Sequence, residues 1–183
     1  MPLRFTPEDS VLLVVDIQPK FMAGIEEADR VLRRSEFLIR VAKVLDIPVL
    51  ATEQNVDRMG GTDERLVPHL NQRFAKMAFS CAGCEDLTTA LQFTDRKTAI
   101  LVGIETHICV TQTALDLQEQ EFDVAVCPDA VSARTMDRHR LGMERMRDSG
   151  IMPIHTEALA YEWIKTAEHP RFREALQLVK EFA

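Results

Sequence analysis

No stretch of this sequence stays apolar for the roughly 18 residues a membrane-crossing helix requires. The opening stretch, Met1 to Ser10, carries Pro2, Pro7, Glu8 and Asp9. It lacks the apolar centre of a secretory signal and the Arg-rich, acid-poor face of a transit peptide, so a cytoplasmic protein is expected. Long blocks of Lys or Arg are also missing. The 22 basic residues are outnumbered by 29 acidic ones, and a net charge of −7 repels a phosphate backbone. Arg33–Arg34 and the stretch from Arg138 to Arg147 are interrupted by acids and apolar residues and read as solvated helix faces. Neither a nucleic acid nor a membrane is expected as a partner. Repeats, low-complexity tracts and interdomain linkers are absent, and 183 residues suffice for one domain, 1–183, with a full core.

The common cofactor motifs are missing too. The seven glycines form no GxGxxG and no GxxxxGK[ST], and there is no HExxH. The five histidines, His69, His107, His139, His155 and His169, are scattered without ligand spacing. Four cysteines in a chain of this length do not call for a disulfide framework. Cys81 and Cys84 form a CxxC pair, but a zinc ribbon needs a second pair of ligands and the sequence offers none. Two ordinary thiols beside a turn at Gly83 are the simpler reading, and a redox dithiol the sharper one.

What is present is an alternation. Val11 to Val15 is a short continuous apolar run, the pattern of a strand buried on both faces. Ile47 to Ala51, Phe74 to Phe79, Thr98 to Val102, Asp123 to Cys127 and Ile151 to Ile154 are further strand candidates. Between and after them, helical spacing is read over Asp29 to Leu45, Glu85 to Phe93, Thr106 to Gln120, Asp137 to Asp148, Glu157 to Ile164 and Pro170 to Phe182. Strands alternating with helices call for βαβ units, hence a parallel sheet covered on both faces and joined by right-handed crossovers.

Such sheets bind ligands beyond the carboxyl ends of their strands. Two residues stand out there. Asp16 directly follows an apolar strand, and a carboxylate buried in that position needs donors or a cation. It is either a turn cap or a general base. Cys109 lies in the first turn of the helix after the Thr98 to Val102 run. Helix N-terminal amides favour a thiolate and can hold an oxyanion. It is either a small buried residue or a nucleophile. Cys127 lies inside a strand pattern and reads as core.

At these positions the sequence resembles a known family. Leu12-Leu-Val-Val-Asp16-Ile-Gln-Pro-Lys-Phe21 looks like the opening strand of the isochorismatase-like cysteine hydrolases. Gly103-Ile-Glu-Thr-His-Ile-Cys109-Val110 looks like their nucleophile loop, and Lys76-Met-Ala-Phe-Ser80 like the stretch that holds their lysine. Thr52-Glu-Gln54 and Cys127-Pro-Asp-Ala-Val-Ser132 are similar as well, so the likeness runs from Val11 to Leu159. It is greatest to the isochorismatase domain-containing proteins. The resemblance implies an α/β fold, a doubly wound, Rossmann-like three-layer α/β/α arrangement with a six-strand, mostly parallel sheet. It also implies a triad of Cys109, Asp16 and Lys76. Without it, Lys76 would read as a solvated lysine beside a short strand. Lys76 would keep Asp16 ionised, and Asp16 would take the thiol proton, or the site would rest as a thiolate paired with the lysine. The resemblance further implies a cis peptide at Ile104–Glu105, an oxyanion held by the amides of Cys109 and Glu105, and a homo-oligomer.

The departures are informative. Nicotinamidases of this family hold a metal after the second strand with an Asp-x-His…His pattern. The matching stretch here, Asn55-Val-Asp-Arg-Met-Gly-Gly, has no histidine, so no metal and no cofactor are expected. Keeping Cys109 argues for acyl transfer from a small amide or ester rather than vinyl-ether chemistry. Gln18, Phe21, Glu53, Gln54, Glu105 and His107 are the candidates for contacting a small-molecule substrate. Three readings stay open: a metal-independent hydrolase, a catalytically silent binding or scaffold protein on the same fold, and a redox protein using Cys81 and Cys84. The apolar residues of Leu159 to Ile164 fit either an oligomer interface or the sheet.

Overall fold

The computed structural model describes residues 4–182; the stretch Met1 to Ser10 read above for targeting signals therefore begins outside the described residues. Six strands form one sheet: β1 (Ser10–Val15), β2 (Val49–Gln54), β3 (Gln72–Lys76), β4 (Thr98–Ile104), β5 (Asp123–Ser132) and β6 (Met152–Pro153). Their order is β3-β2-β1-β4-β5-β6 and every neighbouring pair is parallel. The chain moves outward from β1 in one direction, then returns to lay β4 on its other side. β1 and β4 thus flank the point where strand order reverses, and the crevice beyond their carboxyl ends is where such sheets bind ligands.

Eight α-helices connect and cover the strands: α1 (Pro19–Met22), α2 (Ala28–Val44), α3 (Val56–Met59), α4 (Glu85–Phe93), α5 (Thr111–Glu119), α6 (Met136–Asp148), α7 (Thr156–Ile164) and α8 (Phe172–Phe182). Side chains alternate across a strand, so β1 feeds two cores at once. Leu12 and Val14 pack with Phe37, Leu38, Val41 and Trp163 under α2, α7 and α8. Val11, Leu13 and Val15 pack with Leu87, Leu91, Ala114 and Met146 under α4, α5 and α6. Each such side chain contributes about 1.5–3 kcal/mol by leaving water, which is why the central strands are continuously apolar. Leu159, Ala160, Trp163 and Ile164 are buried in the first of these cores, so that stretch packs on the sheet.

Among the boundaries that differ from the sequence expectation, three differ for a visible reason. The strand expected over Phe74 to Phe79 is instead Gln72–Lys76. Its partner β2 ends where Gln54 pairs with Lys76, and past that point the chain has no strand to join. The strand expected to stop at Cys127 continues to Ser132. Its register slips between Leu101 and Gly103, which passes Pro128, lacking an N–H, through an irregularity rather than a regular ladder position. Arg30 spans this segment by donating to the carbonyls of Pro128, Asp129 and Val131. The helix expected over Thr106 to Gln120 begins with a π-helical turn, Thr106–Val110, before α5. Cys127 is fully buried, as a core cysteine should be. Gly103, at φ +115°, brings β4 against β1: a Cβ there would sit 2.1 Å from the Val15 carbonyl oxygen.

Candidate active site

β1 delivers Asp16 in the left-handed backbone region at φ 51°, a conformation Asp tolerates better than most residues. The turn lowers its side chain into the crevice, where it is 2% exposed. Oδ1 accepts a 2.8 Å hydrogen bond from Thr52 Oγ1. Oδ2 lies 2.7 Å from Lys76 Nζ. The lysine side chain is wholly buried, which corrects its reading as a surface lysine. Its three N–H groups are aimed elsewhere, at Gln54 Oε1 (2.6 Å), Ala78 O (3.2 Å) and Phe79 O (3.0 Å). Oδ2 therefore meets the ammonium charge without an aligned donor. The Cys109 thiol, carried on the π-helical turn after β4, lines the same cavity as Asp16 and feels its charge.

Electrostatics fixes the resting state of this group. Burial raises the Asp16 carboxyl above its usual range and outweighs the opposing pull of Lys76, Thr52 and Cys109. Burial, with the Asp16 charge behind it, pushes the Cys109 thiol up to about 12, against the smaller opposite effect of Lys76. Both effects favour the thiol over a standing thiolate–lysine pair. The helix-terminal amides are not all available to a thiolate, because the N–H groups of Ile108 and Val110 both donate to Glu105 O.

Thr52 is the donor that opposes burial most directly from outside the three residues. Thr52→Val is expected to move the Asp16 carboxyl titration, followed by carbon NMR, to higher pH. An unmoved titration would separate Thr52 from the charge state of Asp16.

A cavity of about 380 Å³ opens above Asp16 and Cys109. Phe21, Gln54 and Glu105 line it, as their positions at strand and loop ends suggested. Phe79, Ile104 and Ile108 line it as well and had no distinguishing signal beyond adjacency to Lys76 and Cys109. The Ile104–Glu105 peptide is cis. Glu105 Oε2 accepts from Arg134 N (3.2 Å) and Nε (3.1 Å).

Three candidates stand outside the cavity. Gln18 latches the ends of β1 and β2, donating to Gln54 O (3.1 Å) and Gly60 O (2.6 Å) and accepting from Gln54 N (2.7 Å). Glu53 points to the opposite face of β2 from Thr52 and Gln54, as period-two alternation requires. There Glu53 accepts from Thr62 N (2.8 Å), Thr62 Oγ1 (2.7 Å) and Arg73 Nη1 (3.2 Å). Burial favours its neutral form, yet these donors hold its carboxyl below the usual range. His107 turns away, its backbone so close to α6 that a Cβ on Gly142 would lie 2.9 Å from His107 Cα. Burial lowers its imidazole, and its Nδ1 has no hydrogen-bond partner.

The segment after β2 does not fit a metal. Glu53 Oε1 is already taken by Thr62 and Arg73, and its neighbours Gln54 and Asn55 are amides. Among the described residues no three His, Cys, Asp or Glu side chains converge as a ligand set. Cys81 and Cys84 are both buried. Burial pushes the Cys81 thiol up to about 11, which suits an inert thiol better than a redox one.

The chain is similar to proteins already described. The family model for the Isochorismatase domain matches residues 10–158. A Phytophthora sojae protein described as the secreted isochorismatase effector Isc1 is 35% identical over 186 residues, which cover 97% of this chain and 88% of that one. The Dictyostelium discoideum isochorismatase family protein 1B is 33% identical over 184 residues, covering 97% and 89%. A solved structure described as the MAR1 ribonuclease from Caenorhabditis elegans superposes with a TM-score of 0.92 at 33% identity, covering 97% of this chain and 92% of that one. With most of its length inside the domain model and relatives above 30% identity along nearly all of it, this chain belongs to the isochorismatase family.

Proposed function

We propose that this protein is a metal-independent cysteine hydrolase of a small amide or ester. Membership of the isochorismatase family supports a hydrolase. The observation that carries the mechanism is the meeting of three groups at one end of the sheet: Asp16 and Cys109 both line the cavity, and Lys76 Nζ lies buried behind them, 2.7 Å from Asp16 Oδ2. A buried acid, a buried base and a thiol have little structural reason to converge at the one place where this sheet opens to ligands.

The reaction begins with Cys109 as a thiol. Asp16 takes its proton as sulfur bonds to the substrate carbonyl carbon, and the carbonyl π electrons move to oxygen. The oxyanion is held by the backbone N–H groups of Cys109 and Glu105. As the tetrahedral intermediate collapses, the C–N or C–O bond breaks and Asp16 returns its proton to the departing amine or alcohol. A water molecule then loses a proton to Asp16 and adds to the thioester. Sulfur leaves, regains that proton and restores the resting thiol. Lys76 keeps Asp16 anionic whenever it has shed its proton, despite burial.

The test is a screen of small primary amides and esters for ammonia or acid release, with a pH profile on any substrate found. Asp16 must be ionised to act, and its carboxyl is raised. The acidic limb of kcat/KM should therefore fall above pH 3.8, the ordinary carboxyl value, with no thiol-ionisation limb through neutral pH. A profile that instead rises with a thiol ionisation near neutrality would contradict the role given to Asp16.

A ribonuclease reading, suggested by the name of the worm relative, is disfavoured by the net charge of −7 and by a cavity of about 380 Å³. A cytoplasmic location and a homo-oligomeric state belong to the same proposal. Among the described residues no helix is long and apolar enough to cross a membrane.

A further inference from the structure

We infer that this cavity selects an uncharged substrate with an apolar acyl group and rejects anions. The inference rests on the hydrolase reading and adds the substrate class to it. Two carboxylates, Asp16 and Glu105, line the cavity, and no lysine or arginine side chain is among its lining residues. The two nearby cations are already committed. Lys76 is held by Asp16, Gln54 and two backbone carbonyls. Arg134 is paired with Glu105, with its own side chain about half exposed. A carboxylate on the substrate would enter beside two like charges with no free partner, and an unpaired charge in a partly buried site is strongly disfavoured.

The remaining lining explains the apolar preference. Phe21, Phe79, Ile104 and Ile108 make up the rest of the wall apart from Gln54 and the reacting cysteine. Gln54 has both ends of its amide occupied, accepting from Lys76 and donating to Met77 O (2.9 Å). It therefore has little capacity left to read a polar acyl group. Phe79 is 58% exposed at the cavity rim, and its carbonyl accepts from Lys76 Nζ. The same short segment thus forms the apolar wall and holds the lysine beside Asp16.

Two alkylating reagents of nearly equal size and opposite character test this. Iodoacetamide is neutral and iodoacetate is anionic. The folded protein is treated with each at about pH 8, near the free-thiol range. High salt screens the overall charge of the chain. Peptide mass spectrometry reads the rate at Cys109, and the urea-unfolded chain supplies the reference ratio at the same peptide. The expected result is a folded-state preference for iodoacetamide at least about tenfold beyond that reference, the factor that a local field of one sign typically confers. Glu105→Gln should move the ratio back toward the unfolded value. A folded ratio equal to the reference, or one favouring iodoacetate, overturns the inference while leaving a reactive Cys109 and the hydrolase reading intact. If Cys109 reacts with neither reagent while the unfolded chain reacts with both, the cavity does not favour the neutral group and the substrate class falls, with the hydrolase reading left to the trapping of an acyl group on Cys109.

Discussion

Cys109→Ala is expected to lower turnover of any amide or ester substrate by about a thousandfold or more, the scale seen when the nucleophile of a covalent mechanism is removed. The substitution deletes one sulfur atom at a site that is already 8% exposed, so the fold should survive and melting should shift by only a few degrees. Asp16→Asn should cost a comparable factor, because an amide cannot accept the thiol proton. The two losses should not multiply in the double variant, since each residue is useless without the other. Steady-state rates on the three variants check this. A Cys109→Ala protein that keeps most of its activity would place the chemistry elsewhere.

The second large effect is on stability. Lys76→Met leaves the Asp16 carboxyl buried beside no cation, and breaking a buried ion pair from one side typically costs about 3–5 kcal/mol. For a chain of this size that corresponds to a fall in melting temperature on the order of 10 °C. The loss should depend on pH in a definite direction. Asp16 is already raised by burial, and without Lys76 it rises further. An acid whose folded-state carboxyl is raised contributes most when protonated, so stability is retained at low pH. It is lost as pH climbs from the ordinary value of 3.8 through the raised one. Lys76→Met should thus melt closest to wild type in acid. Adding Asp16→Asn should recover much of the deficit at neutral pH, because a neutral pair needs no counter-charge. Thermal melts of the single and double variants across pH measure both statements. A Lys76→Met protein as stable as wild type at neutral pH would mean that the 2.7 Å pair contributes little.

Much of the fold was legible because its signals are local and repeated. The five longer strands are apolar runs or short β-rich segments, and the helix over Glu85–Phe93 was bounded by sequence alone. What was not legible depends on partners distant in sequence. β3 stops at Lys76 because β2 has run out, and β5 survives Pro128 because its neighbour β4 shifts register. The same distinction holds in the site. Asp16 and Cys109 were singled out by chemistry and position, Lys76 by family likeness alone, and the fold brings the three together. Gln18 and Glu53 carry equally polar groups at the same strand ends, yet serve a strand latch and a loop anchor. Alternation along β2 separates Glu53 from Thr52 and Gln54 and was available in the sequence. Phe79, Ile104 and Ile108 shape the cavity with side chains that resemble any other core residue, so only their placement reveals them. The resting charge of Cys109 was also hidden. Its position near a helix start suggests a thiolate, whereas burial and the adjacent carboxylate keep the proton on sulfur.

The central claim is that Cys109 carries the acyl group, and trapping that intermediate tests it most directly. The protein is mixed with a small activated ester such as p-nitrophenyl acetate, quenched in acid within the burst, digested and read by peptide mass spectrometry. The account predicts one acetyl group on the Cys109 peptide, formed by wild type, greatly reduced in Asp16→Asn and lost on incubation with water before the quench. Acetylation that bypasses Cys109, or that proceeds equally well in Asp16→Asn, would contradict it.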